Sequence, residues 1–117
     1  MKELQKKVSD LNSLILEGRS MDAFEKYYHE DVVMQENDQL PTVGKAANRL
    51  REEKFFAAVT EFRLAEVRKT AVGENISMVE WHFDYTHNEW GERNYSQIAV
   101  QEWRDSKIKK ETFYYGN

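Results

Sequence analysis

Leu4, Val8, Leu11 and Ile15 recur at helical spacing, which predicts a first helix with a single apolar stripe. Gly18 is placed to stop it, because glycine takes the left-handed cap conformation without strain. Ser20 can cap a second, shorter helix with Asp22 in its first turn, where a negative charge meets the positive end of the helix dipole. Phe24, Tyr27 and Tyr28 then form its inner face. The stretch "DVVMQEN" reads as a short strand ending on Glu36, with Pro41 in the loop beyond it. A third helix is predicted from about Lys45 to Ala58, with Ala47, Leu50 and Ala58 inward and Arg49 and Glu53 as a solvated pair one turn apart.

From Thr60 the period shortens from helical to alternating. "TEFRLAEVRKTAV" alternates around Phe62 and Leu64, and "GEN" at 73–75 turns the chain. In "ISMVEWHFDYT" the residues Val79, Trp81, Phe83 and Tyr85 share one face, and Met78, Glu80, His82 and Asp84 share the other. "HNEWGE" turns the chain into "RNYSQIAVQEW", and "RDS" leads into "KIKKETFYY". Helix, helix, strand, helix and three long strands in hairpin succession predict an α+β domain spanning residues 1–117. Its mostly antiparallel, strongly twisted sheet would wrap over the helices as a cone with an open end. Such a mouth is a common place for a small-molecule pocket.

Composition narrows the function classes. The 117 residues fit one domain, 40% hydrophobic content supplies a core, and 32% charged residues solvate the surface. A net charge of −4 gives no basic footprint for nucleic acid. The longest apolar run is Phe55 to Val59, too short to span a membrane, and the charged start "MKELQKKVSDL" is unlike a signal peptide. No cysteine is present, so disulfides, thiolate metal sites and a cysteine nucleophile are excluded. A cytoplasmic protein without cofactor is the expectation.

Two places carry candidate chemistry. Val32, Met34 and Glu36 alternate onto one strand face, so burial of the first two draws Glu36 inward, where loss of water raises a carboxyl pKa toward that of a general base. A salt bridge from Arg49 or Arg63 would make it structural instead. Glu80, His82 and Asp84 lie about 7 Å apart in succession on one strand face. They are either a proton-transfer patch lining the cone or a wet outer face; the expectation is that the face with His82 and Asp84 points inward. A metal site from His82, Asp84 and His29 or His87 lacks a second paired motif and is not assigned; a nucleophilic triad is disfavoured because no serine occupies a glycine-flanked turn and Ser96 lies mid-strand. Glu111 shares its face with Phe113 and Tyr115, a carboxylate among aromatics. The predicted ligand-binding lining is Tyr27, Met34, Trp81, Gln97, Trp103, Glu111, Phe113 and Tyr115, and the catalytic candidates are Glu36, His82 and Asp84.

"LEGRSMDAFEKYYHEDVV", "PTVGKAANRLREE" and "WRDSKIKKETFYYG" resemble the SnoaL-like branch of the nuclear transport factor 2-like superfamily, relatives of polyketide cyclases and ketosteroid isomerases. The resemblance covers nearly the whole chain and implies the cystatin-like cone. It also points to a homodimer, as do strands apolar on both faces with helices enough for one. The isomerase branch has a "DDATVED" step whose last aspartate is the base, and Glu36 stands there in "EDVVMQE". That branch's oxyanion-holding tyrosine and acid fall near Asn12 and near Ser96 or Ala99. The limonene epoxide hydrolase branch uses an aspartate–arginine–aspartate set, against which "WHFD" offers His82 and Asp84, while the matching place of the other acid, at about Phe113, holds no carboxylate. Two functions follow: a non-catalytic cup for a small apolar or amphipathic molecule, or a cofactor-independent acid–base enzyme using Glu36 or the His82/Asp84 pair.

Overall fold

The computed structural model describes residues 2–116. Helix α1 (Lys2–Leu16) buries Val8, Leu11 and Leu14, with Leu4 and Ile15 packed against the same core. Gly18, at φ 80°, ends it, and the Arg19 N–H donates to the Leu14 carbonyl at 2.8 Å, closing the last turn. Helix α2 (Ser20–Tyr27) follows. Ser20 is its first helical residue rather than its cap: Arg19 holds the cap position without a side-chain cap bond, and its guanidinium instead pairs with Asp22 at 2.9 Å. Strand β1 (Tyr28–Glu36), the short β2 (Thr42–Val43) and helix α3 (Lys45–Ala58) come next, and then β3 (Val59–Gly73), β4 (Ile76–His87), β5 (Gly91–Arg104) and β6 (Lys107–Tyr114).

The six strands form one curved sheet in the order β2-β1-β6-β5-β4-β3. All neighbours are antiparallel except β1 and β6, which run parallel and bring residues far apart in the chain side by side, Met34 against Glu111 and Glu36 against Phe113. Left-handed residues sit where the hairpins reverse, at Asn75 between β3 and β4 and at Asp105 and Ser106 between β5 and β6. The helices cover the concave side, and the core beneath them joins Phe24, Tyr27, Tyr28, Val32, Met34, Val79, Trp81, Ala99, Trp103 and Ile108.

Two expectations are corrected. The inward face of β4 carries Ser77, Val79, Trp81, Tyr85 and His87, so His82 and Asp84 point to the outer face. Alternation defines two faces without saying which is covered; burying Val79, Trp81 and Tyr85 removes far more apolar surface from water, and Glu80, His82 and Asp84 would need partners if enclosed. Helix α3 also turns differently. Ala47 is exposed and Leu50 is 69% exposed, while Asn48 is buried and Glu52 and Phe55, on the same side, are half-buried. The helix lies on β1, and its inward face serves backbone groups rather than filling an apolar layer.

Asn48 makes that role concrete. Its Nδ2 donates toward the carbonyls of Gly44 (2.8 Å), Thr42 (3.0 Å) and Val32 (3.3 Å), tying the start of α3 to β1 and β2. The Gly44 N–H bonds the Val32 carbonyl from the other side, at 2.8 Å. Asn48→Ala removes the side-chain donor shared by these carbonyls, leaving Val32 to the Gly44 N–H and Gly44 to the Asn48 backbone N–H, and is expected to lower stability by about 1–2 kcal/mol. Urea unfolding followed by tryptophan fluorescence measures this. A loss within error of zero would mean that the three contacts contribute nothing net.

Candidate functional site

Along the inward face of the sheet, burial changes from one end to the other. Near the start of β4, Ser77, Val79, Ala99, Trp103 and Ile108 are almost wholly enclosed. Toward the other end Phe83, Tyr95, Gln97, Phe113, Tyr115 and Glu36 are only half-buried, which marks the open end of the cone.

A buried polar chain runs in from the closed end. The Trp103 Nε1–H donates to Ser77 Oγ at 2.8 Å, Ser77 Oγ donates to Gln101 Oε1 at 2.6 Å, and Gln101 Nε2 donates to Glu111 Oε2 at 2.8 Å. The other carboxylate oxygen, Oε1, accepts the Tyr28 hydroxyl. Strand register places these groups: Ser77 is opposite Gln101, Gln101 opposite Glu111, and Glu111 beside Met34 on β1. Burial lifts the Glu111 pKa to about 7, against the pull of its two hydrogen bonds. The same burial, joined by the Glu111 charge, pushes the Tyr28 hydroxyl well above its usual range.

Glu52 comes to the same interior from α3, one turn beyond Asn48. It has no hydrogen-bond or ion-pair partner among the described residues. Its side chain keeps some contact with solvent but is ringed by protein. That enclosure, then the charge of Glu111, raises its pKa to about 7; Arg51 opposes the shift and Glu36 adds to it. The two acids therefore change protonation near neutrality and each makes the other harder to ionise.

Glu36 stands further out, at the end of β1. Its Oε2 accepts Arg51 Nη2 at 2.5 Å and its Oε1 accepts the Tyr115 hydroxyl at 2.6 Å. A salt bridge thus forms at this position, from Arg51 rather than Arg49 or Arg63: Arg49 pairs bidentately with Glu25, and Arg63 with Asp84. Burial and the bond to Glu36 raise the Tyr115 pKa to about 12. Tyr115 packs on Tyr95 with ring centroids 5.4 Å apart, and the Tyr95 and Tyr85 hydroxyls bond at 2.9 Å. Phe55 meets Tyr85 edge to face, and His87 and Trp90 stack beside it. A mostly aromatic rim surrounds an acidic interior.

Of the sequence-predicted residues, Glu36, Gln97, Glu111, Phe113 and Tyr115 face this side, and Tyr27, Met34, Trp81 and Trp103 face it as packed core. His82 and Asp84 stand on the opposite face. There the His82 Nδ1 meets Ser96 Oγ at 3.1 Å, and Asp84 accepts the Arg63 Nε–H at 2.9 Å. Sequence reasoning missed Glu52, Tyr28 and Gln101 as members of the set. Only Glu52 left a trace, in the spacing of Asn48, Glu52 and Phe55 along one helix face. Among the described residues no three potential metal ligands converge.

A model of the SnoaL-like domain family matches residues 4–115. The chain belongs to the SnoaL-like domain family. No curated protein matches it in sequence. Among solved structures, this SnoaL-like domain is similar to a protein from Mesorhizobium loti described provisionally as a SnoaL-like polyketide cyclase, with TM-score 0.87 and 22% identity, covering 96% of this chain and 98% of that one. It is also similar to a cystatin-like protein of unknown function from Xanthomonas campestris (TM-score 0.82, 11% identity, 96% and 89% covered). An M. tuberculosis epoxide hydrolase of the limonene epoxide hydrolase type gives TM-score 0.75 at 13% identity, with 95% and 80% covered. At these identities the likeness is one of fold.

The raised acids give the SnoaL-like domain a definite pH response. Their folded pKa values lie above the ordinary carboxyl value of 4.5, so the folded state holds protons that the unfolded chain has released. Stability is therefore greatest below about pH 4.5 as far as these groups are concerned, falls as pH rises toward about 7, and levels off above it. Glu111→Gln is expected to remove much of that slope and to stabilise the protein at pH 8 by on the order of 2 kcal/mol. Chemical denaturation from pH 5 to pH 8 tests it. An unchanged slope in the variant would contradict the assignment.

Proposed function

We propose that this SnoaL-like domain is a binding cup for a small, largely apolar or amphipathic molecule. The carrying observation is the gradient at the open end, where Phe83, Tyr95, Phe113 and Tyr115 lead inward to the unpaired Glu52 beside the enclosed Glu111. Aromatic side chains offer large contact area at low entropic cost, and a few convergent polar groups fix a ligand's orientation. The likeness in fold to a provisionally described polyketide cyclase and to an epoxide hydrolase supports a small-molecule reading.

Covering Glu52 with an apolar ligand removes the water that its charged form needs, so binding takes up a proton. Affinity for a neutral solvatochromic dye such as Nile red is expected to be saturable at one site per chain and to weaken as pH rises through about 7, where Glu52 ionises. Glu52→Gln should flatten that dependence, and Phe113→Asp should weaken binding roughly tenfold or more through lost apolar contact. Absence of saturable binding in the wild-type chain would overturn the cup.

A second reading is favoured by the same Glu52: an acid–base enzyme without cofactor, with this carboxyl as the proton carrier. An unpartnered carboxyl titrating near neutrality is suited to move protons at physiological pH. Glu36, the sequence candidate, is occupied by Arg51 and Tyr115 and fits better as a group that orients the rim.

The partner proposed for the outer sheet face is a second copy of the chain. Leu64, Met78, Ile98 and Tyr114 are each 42–52% exposed, and Ile98 pairs with Tyr114 across β5 and β6. Sedimentation is expected to give a dimer at micromolar concentration, and Ile98→Asp a monomer. A monomeric wild-type chain would remove the proposal.

A further inference from the structure

Arg93 stands on the inward face of β5, two residues out from Tyr95 and opposite Tyr85 in the register, at the rim of the open end. Arg19, Arg49, Arg51, Arg63 and Arg68 each pair with a carboxylate. Arg93 is half-buried, yet it makes no ion pair or hydrogen bond with any described residue. Its guanidinium lies over the Tyr95 ring, with the central carbon 4.9 Å from the ring centroid, and Nε is sealed from solvent without an acceptor. Nη1 and Nη2 are not sealed, so the two end-on donors are the part of the group left open. The carboxylates around it are engaged elsewhere: Arg51 and the Tyr115 hydroxyl hold Glu36, and Glu92 is on the outer face near Arg63. The Arg93 charge is felt within the aromatic rim, where it opposes the rise in pKa that burial gives Tyr95 and Tyr115. The chain thus positions a cation at the mouth of the cone and supplies no anion to meet it.

We propose that Arg93 anchors the ligand of the open-end cup by a carboxylate, so that the ligand class is a monocarboxylic amphiphile with its apolar body inside the cone and its carboxylate on Nη1 and Nη2. The inference rests on the cup reading and names the ligand's polar end. Two parallel N–H donors match the two oxygens of a carboxylate, and bonds between ionised partners are the stronger ones. The sealed Nε closes the side-on approach and leaves the end-on one. Stacking on Tyr95 holds the fork in place beforehand, so little side-chain freedom is lost when the anion docks. A phosphate ester fits less well. Arg93 offers one uncompensated positive charge, and a second negative charge would face Glu36 and, deeper, Glu52 and Glu111, with nothing to replace its lost water. An ammonium group in the same place would meet a like charge.

The test is calorimetric titration of decanoate and of its neutral methyl ester at about pH 6, where decanoate is ionised and Glu52 still mostly holds its proton. Both are expected to bind the wild-type chain at one site. Arg93→Gln should weaken decanoate about tenfold or more and leave the methyl ester within about twofold. The ester thereby also reports that the variant keeps its cup. A second measurement needs no variant: added sodium chloride should weaken decanoate binding to the wild-type chain and not that of the ester. Decanoate affinity unchanged in Arg93→Gln, an equal loss for both ligands, or decanoate binding indifferent to salt would each overturn the anchor. The cup would survive those results as long as Nile red binds saturably. If the dye and both ligands fail to bind the wild-type chain, cup and anchor fall together.

Discussion

Glu111 between Tyr28 and Gln101 is the contact on which both the fold and its interior depend. Through Gln101 it is joined to Ser77 and Trp103, so one hydrogen-bonded chain crosses β4, β5, β6 and the start of β1. Side chains alternate with a period of two, so a one-residue slip in any of these strands would send its members of the chain to the outer face and leave buried groups without partners. Unpaired buried polar groups are costly, which makes the chain a device for fixing register. It acts where register is otherwise weakly fixed, since β1 and β6 pair in parallel and no short turn between them sets their alignment.

The same contact sets the electrostatics of the open end. A carboxyl so enclosed holds its proton to about pH 7, and its eventual charge makes the neighbouring Glu52 harder to ionise. Two enclosed acids lower stability once both are charged, whereas Tyr28 and Gln101 offset part of that cost at Glu111. Glu52 has no hydrogen-bond partner among the described residues, only the opposing charge of Arg51. A group held unpaired at some expense to stability is the feature on which the proposed cup rests.

Much of the architecture was legible because local chemistry dictates it. The α1 stripe, the stop at Gly18, the α3 span and each hairpin turn follow from periodicity or from residues that tolerate positive φ. What was not legible depends on pairing across the chain. Nothing in "YYHEDVVMQEN" announces that Tyr28 will meet Glu111, because their contact exists only after β1 lies beside β6. The faces of β4 were visible but not which of them the helices would cover. There the larger apolar face, Val79, Trp81 and Tyr85, is the one buried, and Glu80, His82 and Asp84 are left outside.

Glu36 shows why an ion pair is harder to foresee than a strand. Arg49 and Arg51 lie two positions apart on α3, a rotation of about 200° around the helix axis, so they point to nearly opposite sides. Arg49 reaches back to Glu25 on α2, and Arg51 reaches the end of β1. Once Arg51 and the Tyr115 hydroxyl hold the Glu36 carboxylate, a positive charge and an aromatic ring are fixed at the entrance to an acidic interior. In the proposed cup a ligand approaching Glu52 would pass that pair first. A ligand carrying an anionic group would meet Arg51 at the rim and Glu52 behind it, an order that favours an apolar body inside and any negative group outside. In the proposed cup the rim pair would govern which end of an amphipathic molecule enters, while Glu52 and Glu111 would govern the pH at which it is held.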